Sequence, residues 1–429
     1  MKTWKWDSVL EYHLKYHKGL KLINIPEKAN VTVLEPEAMP GRNSLSDMLD
    51  SALHSARFSE QLRKKNPASI AISIPDETQP VPVKSLLPKL IQQLFHTLPR
   101  LEPAAVTIIF GNGLQLPPNR KTIDKILASN IVRSCNVVAH DASDSRMKDF
   151  GTTRRGTPVR INAAFGEADF KMVIGLIEPH QFFGFTGGSK EAVIGCASAD
   201  SIRHNHRLIT EKPARAWHLG GNPMRADLDE AGRMIGIDFA LDVVLNSDRK
   251  VVCVLAGNPE AVLEQGAETC AAVYGIKLGR KFDIVLASCA GYPEDISPYQ
   301  AQKSFSLVSQ AVKQGGKVLL LAAFQKDLGE DVYFDYVCPF AEPEAVRKDF
   351  TNFGYTMGAR KADLFGGMLV NYEAGDFNDL DSGIMRHCHL RAADPSTIMA
   401  EWVDDFEGTP EVAVVPHAVT TFFLTSDYQ

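Results

Sequence analysis

A series of short, almost unbroken apolar runs most constrains this 429-residue chain: ASIAISIP (68–75), AAVTIIF (104–110), KMVIGLIE (171–178), FDIVLAS (282–288), KVLLL (317–321) and VAVV (412–415). Runs of that length, apolar at most positions rather than at every second one, are strands buried on both faces. Loops with Gly, Pro, Asn or Asp follow them, and amphipathic stretches follow several of the loops. That succession predicts an α/β fold with largely parallel sheets. The chain is long enough for two such domains, expected at 1–275 and 282–429 with a linker at about 276–281 and an active-site cleft between them. Residues 1–30 mix aromatic and basic side chains without a clear period, and are expected to cover a face of the first domain.

One stretch concentrates chemistry. In KMVIGLIEPHQFFGFTGGSKEAVIGCASADSIRHNH (171–206), Pro179 ends the strand and puts His180 just beyond its carboxyl end, where open α/β sheets bind ligands. The loop that follows offers Gly184, Gly187 and Gly188, with Thr186 and Ser189 as hydroxyl donors before a helix, a combination that suits an anion cradle. A Walker loop needs Lys directly after the last glycine and then Ser or Thr; here Ser189 precedes Lys190, so the match fails. A glycine turn before a helix serves either packing or a ligand. His180 ten residues before Lys190 and His206 sixteen after it favour the ligand.

PHQFFGFTGGSK followed by HNH resembles the signature of the nickel-pincer lactate racemases and related 2-hydroxy-acid racemases and epimerases. The resemblance implies a nickel pyridinium-3,5-bisthiocarboxylic acid mononucleotide tethered through Lys190, with His206 as nickel ligand and His180 as catalytic acid/base. It implies cofactor contacts from Asp76, Thr78, Thr186, Gly187, Gly188 and Ser189, and dependence on separate cofactor-synthesis enzymes. In GYPEDISPYQAQK, Tyr299 and Lys303 lie four apart on one helix face and resemble the family pair that helps hold the substrate's carboxylate; Gln300 lies between them. The likeness also implies hydride passing from the carbinol carbon to the cofactor and back to the opposite face.

Two positions depart from the family pattern. Where it reads Asp-x-Thr-Arg-Pro, with the arginine gripping a carboxylate, this chain has Gln79; where it presents Gly-x-His-Arg, this chain has Gly111, Asn112, Gly113 and Leu114. Loss of a bidentate guanidinium disfavours lactate itself. A larger hydroxy acid, such as a sugar acid, is expected, with Gln79 and Asn112 as hydrogen-bonding partners. The alternative is a non-catalytic binder or carrier of the nickel nucleotide.

The remaining residues are read more plainly. A net charge of -6 leaves no basic footprint for nucleic acid, no run reaches the roughly 18 apolar residues that span a bilayer, and the first residues do not read as a signal peptide, so a cytoplasmic protein is expected. The seven cysteines stand singly and are expected to be reduced and buried. His140 ends the NVVAH strand and receives no role; His387 and His389 are read as non-metal residues. His417 is the internal candidate to replace the missing second base.

Overall fold

The computed structural model describes residues 8–324 except 38, 42–43, 144 and 212, the backbone of 373–377 and 391–392, and residues 394–424. Two compact units result: residues 38–273 form one, and residues 1–37 together with 274–429 form the other. The N-terminal residues thus belong with the C-terminal part of the chain, not with the first unit as expected. The reason is a pairing that the aperiodic composition concealed. The strands β1 (Val9–Tyr16) and β2 (Gly19–Pro26) form an antiparallel hairpin, and β3 (Asn30–Val33) runs parallel to the late strand Glu411–Val415.

The unit of residues 38–273 contains β4 (Ile70–Pro75), β5 (Val106–Gly111), β6 (Asn136–Ala139), the hairpin of β7 (Met147–Thr152) and β8 (Pro158–Asn162), then β9 (Phe170–Leu176). The short pair β10 (Pro179–His180) and β11 (Gly184–Phe185) follows, then β12 (Phe239–Leu245) and β13 (Val251–Gly257). Six of these make one sheet in the order β13-β12-β9-β4-β5-β6, parallel except for the edge pair β12–β13. From β4 the chain steps outward to β5 and β6, then returns to β9 on the other side of β4. The strand order therefore reverses between β4 and β9, and the crevice beyond their carboxyl ends is the switch point where such sheets take ligands.

Period-two alternation divides the sheet's residues between its faces. Ile70, Ile72 and Ile74, with Met172, Ile174, Leu241 and Val243, pack against the helices Leu45–Ser55, Phe58–Lys65 and Val83–Thr97 in one apolar core. The opposite face carries Ser73 and Asp242, both fully buried, and Gly175, which lies directly beside Asp242 in the β9–β12 register. A side chain on Gly175 would place its Cβ 2.7 Å from Asp242 Oδ1. The glycine leaves the space that the carboxyl occupies.

Asp242 in turn shapes the loop after β9. The backbone N–H of Gly188 donates to its Oδ2 at 2.7 Å. Gly187 sits at φ +84, where a Cβ would meet Ile177 Cγ1 at 2.5 Å and Asp242 Oδ2 at 2.9 Å, so only glycine lets the chain wrap the carboxyl this closely. Arg225, on the helix Pro223–Ile235 and itself buried, donates to the carbonyls of Phe183, Phe185 and Gly187 and to Asp229. A buried guanidinium with that many acceptors is compensated, and it holds the loop by its carbonyls.

The second unit's sheet is entirely parallel. It contains β15 (Phe282–Ser288), β16 (Val312–Leu321), β17 (Glu373–Phe377), β18 (Arg391–Ala392) and β19 (Glu411–Val415) in the order β18-β17-β16-β15-β19-β3, while β14 (Gly275–Lys277) pairs with β20 (Phe422–Leu424). Val285 and Ala287 face the Pro298–Val308 helix through Phe305; Ile284 and Leu286 face Ile23 and Ile25 of β2 and Trp402.

Burial pushes the Asp242 carboxyl up to about 7, and the neighbouring Glu191 carboxylate adds to this while the Gly188 N–H opposes it. The unfolded chain ionises Asp242 near 3.8, so the folded state is favoured below that pH and loses stability as pH rises through about 7. Asp242→Asn removes this slope while keeping an acceptor for Gly188. In denaturant titrations from pH 4 to pH 8, the variant is expected to gain on the wild type by on the order of 3–4 kcal/mol. Parallel pH profiles would show that Asp242 is not buried in the way described.

Candidate active site at the sheet switch point

The loops after β4 and β9 meet through side chains. Gln79, following β4, donates its amide N–H to Glu191 Oε1 at 3.1 Å, and Lys190 Nζ lies 3.9 Å from the same oxygen. Lys190 opens the short helix Lys190–Val193, its side chain 14% exposed, while that of Glu191 is 2% exposed. Ser73 of β4 donates to the Glu191 carbonyl at 2.7 Å, fixing the helix start on the sheet. Burial pushes the Glu191 carboxyl up; the Lys190 charge and the Gln79 amide pull it down.

His180 stands at the end of β10, where its Nδ1 accepts the backbone N–H groups of Phe182 at 3.2 Å and Phe183 at 3.1 Å. His206 lies on the helix Ala199–Arg207, and its Nδ1 is 2.9 Å from the Ile202 carbonyl. A carbonyl only accepts, so Nδ1 carries the proton and the ring's lone pair is on Nε2. Burial drives the His206 pKa down to about 4, with the nearby Lys190 charge also lowering it, so the ring is neutral at physiological pH. One aromatic ring adjoins both histidines: Phe183 is 5.1 Å from His180 and 5.7 Å from His206, centroid to centroid.

Other expected cofactor contacts turn inward. The Thr186 hydroxyl donates to the Leu176 carbonyl at 2.5 Å and accepts from the Glu178 N–H, so it closes the loop on itself. Ser189 is buried against Gly232, where a Cβ would come within 2.4 Å of its Oγ. The Gly188 N–H, read from the sequence as part of an anion cradle, is taken by Asp242. The cradle is thus built around a protein carboxyl. Asp76 Oδ1 accepts from the N–H and hydroxyl of Thr78 in a local turn, both residues remaining at least partly open to solvent.

At Gln79 and Asn112, one side-chain amide hydrogen of each is already engaged. Asn112 donates to the His140 carbonyl at 2.9 Å, and its own Oδ1, like Gln79 Oε1, is buried without a hydrogen-bond partner in the structure. Gly113, at φ +58, donates its N–H to the Gly195 carbonyl. His140 is a satisfied core residue: Nε2 reaches the Ala197 carbonyl at 3.0 Å, Asn162 contacts Nδ1 at 3.2 Å, and burial lowers its pKa. Thr153 and Thr157 of the GTTRRGT segment both donate to the buried Asp227, a structural role.

Tyr299, Gln300 and Lys303 lie on the Pro298–Val308 helix of the other unit, with Gln300 exposed and Lys303 half-buried. His417 is also in that unit, its Nε2 3.4 Å from Glu35. His387 and His389 fall outside the described residues, as do Cys338 and Cys388; the other five cysteines are free and all but Cys253 are buried. No described helix is long and apolar enough to cross a membrane.

Sequence reading passed over Asp242, Glu191 and Arg225. A single carboxylate inside FALDVVL was the available signal for Asp242, since an ionisable group in a strand buried on both faces requires a partner. Arg225 carried only its i,i+4 pairing with Asp229, because its other acceptors are backbone carbonyls some forty residues away.

Residues 16–218 match the model of the lactate racemase N-terminal domain. The chain is 27% identical over 397 residues to the lactate racemase of Lactiplantibacillus plantarum, covering 89% of this chain and 91% of that protein. It is 28% identical over 351 residues to the lactate racemase of Thermoanaerobacterium thermosaccharolyticum, covering 80% and 81%. In fold it is similar to the lactate racemase apoprotein of the latter organism, with a TM-score of 0.88 at 24% identity over 97% of this chain and all of that one. A Thermotoga maritima protein of known structure is similar at a TM-score of 0.65 and 15% identity, over 90% and 99%. These matches support kinship with the lactate racemase family, the N-terminal domain model covering just under half of the chain.

Proposed function

We propose that this protein is a racemase or epimerase of a 2-hydroxy acid larger than lactate, with a hydroxylated chain such as that of a sugar acid. The observation that carries the reading is the placing of His180 and a neutral His206 on either side of Phe183, with the Lys190 charge near enough to lower the His206 pKa. Inverting a carbinol centre requires breaking a C–H bond of negligible acidity, and no side chain accepts hydride.

The residues suit a lysine-tethered nickel-pincer nucleotide. Lys190 is close to the surface of the crevice, and neutral imidazole is a good nickel ligand. Among the described residues no three His, Cys, Asp or Glu side chains gather as a metal site, so a metal on His206 would draw its remaining ligands from the cofactor. When bound, the group supplies a hydride acceptor and donor. Lys190 would anchor it through its amine, His206 would ligate nickel, and His180 would face the substrate oxygen. Cofactor-synthesis enzymes would deliver the nucleotide, in a cytoplasmic setting.

Gln79 and Asn112 support the larger substrate. Each already gives an amide hydrogen to the protein, and each retains a carbonyl oxygen lacking a partner in the structure. An acceptor repels a carboxylate but receives a hydroxyl, so a polyhydroxylated chain matches these groups better than a short acid anchored by arginine does.

Two measurements test this reading. Protein co-produced with the cofactor-synthesis enzymes is expected to gain the mass of the tethered nucleotide, and Lys190→Ala to lose it; an unmodified wild type under those conditions would remove the tether. Incubated with chiral 2-hydroxy acids in heavy water, the loaded enzyme is expected to invert a sugar acid at least about 10-fold faster in kcat/KM than lactate, without taking solvent deuterium at carbon. Faster turnover of lactate would refute the substrate assignment, and deuterium at carbon would refute hydride transfer.

A further inference from the structure

Glu191 is a buried carboxyl at the switch point to which the proposed function gives no task. Its peptide is clamped from several directions. Ser73 Oγ donates to its carbonyl at 2.7 Å, and two glycines crowd the same oxygen: a Cβ on Gly111 would come within 2.8 Å of it and one on Gly195 within 2.2 Å. The Gln79 amide donates to Oε1 at 3.1 Å and so aims the carboxyl. With a side chain only 2% exposed, Glu191 is a fixed acceptor inside the crevice wall.

Lys190 is aimed at that acceptor. Adjacent residues on a helix point apart, yet the lysine stem turns back until Nζ lies 3.9 Å from the same Oε1. The gap is longer than a hydrogen bond, and a rotation of the stem or one bridging water closes it. An exposed pair of this kind would be a solvated contact of little consequence. Here the carboxyl is buried, and burial pushes its pKa up, which makes its ionised form a stronger base than a surface carboxylate. Two further carboxyls lie near enough to act on it, Asp76 and Asp242. Asp76 Oδ1 is occupied by the N–H and hydroxyl of Thr78, and Asp242 Oδ2 by the Gly188 N–H. Among the described residues, Glu191 alone forms an ion pair with Lys190.

We infer that Glu191 is the base that prepares Lys190 for acylation, taking a proton from Nζ as the nitrogen bonds to a thiocarboxyl carbon. This rests on reading Lys190 as the tether. An ammonium and an ionised thiocarboxylic acid become a thioamide and water: the N–C bond forms, the C–O bond breaks, and two of the nitrogen's three protons leave with the oxygen. Glu191 receives the first of them at Oε1 and passes it to the departing oxygen, so the carboxylate is regenerated and nothing is oxidised or reduced. A positioned base contributes about 10²–10⁴-fold to such a step. A carboxylate that served only as a charge partner would do the opposite, holding Lys190 as the unreactive ammonium.

The two roles predict opposite signs, and the first test needs no cofactor. Full-length protein would be treated near neutral pH with an alkyl thioester, S-acetyl-N-acetylcysteamine, and acetylation of Lys190 read by peptide mass spectrometry against the exposed Lys64. Glu191→Gln keeps the size of the side chain and is expected to slow Lys190 acetylation at least about 10-fold, with Lys64 unchanged. Glu191→Asp, whose carboxylate is drawn back by one methylene, is expected to fall between the two. An equal or faster rate in Glu191→Gln, or an Asp variant no faster than the Gln variant, would overturn the inference. Unfolding cannot imitate the expected result, because it would expose Lys190 and raise its rate. Co-production with the cofactor-synthesis enzymes gives a second reading by intact mass, in which Glu191→Gln is expected to carry at most about a tenth of the wild-type adduct. Equal adduct on both would overturn the role of Glu191 and leave the tether standing. No adduct on the wild type would remove the tether, and the thioester rates would still decide whether Glu191 acts as a base toward Lys190.

Discussion

The buried carboxyl of Asp242 is the constraint around which the rest of this site is arranged. It sits mid-strand in a buried sheet, and its neighbour in the register is a glycine because any side chain there would collide with it. The loop after β9 closes over it with the Gly188 N–H at 2.7 Å, and the next residues open the helix that carries Lys190. A buried carboxyl is costly unless it is hydrogen-bonded or neutralised, and here burial meets that demand partly by raising its pKa. The glycine loop thus owes its shape to an internal ligand. What faces the crevice is whatever follows the loop.

The same logic governs the histidines. Neither ring is oriented by another titratable side chain through the hydrogen bonds at Nδ1; backbone groups do it, one carbonyl for His206 and two N–H groups for His180. Backbone partners do not change protonation with pH, so the orientations of the rings are properties of the fold. Arg225 and Asn222 transmit the position of one helix to the peptides around His180, linking core packing to the polarity offered to a ligand.

Much of the architecture was legible because a parallel strand buried on both faces leaves a conspicuous record. The runs at 68–75, 104–110, 171–178 and 282–288 each contain or overlap an observed strand, and Asn258 before Pro259 opens a helix with its side chain accepting from the N–H groups of Glu260 and Ala261. His180, Lys190 and His206 were legible as a spacing. Their immediate partners were not. Gln79 and Glu191 are 112 residues apart, and nothing local announces that one amide will meet one buried carboxyl. Residues 9–33 misled for the opposite reason: a hairpin whose buried positions are few, Leu14, Ile23 and Ile25 among them, shows little period, and the strand after it pairs with one nearly four hundred residues later.

The Gln79–Glu191–Lys190 chain gives a physical reason why a neutral residue is tolerated where related proteins would place arginine. In the untethered protein the Lys190 ammonium is the cation 3.9 Å from Glu191, and Gln79 adds a neutral hydrogen bond to the same oxygen. Acylation of Lys190 would remove that cation and leave a buried carboxylate beside Asp242, which is likewise buried and already resists ionisation. Two carboxyls in one low-dielectric region do not both remain ionised, so the tethered state favours a neutral Glu191. An arginine at position 79 would bring a second cation to this region and counter the neutralisation of Glu191. With glutamine, that carboxyl keeps only a neutral hydrogen bond, at 3.1 Å.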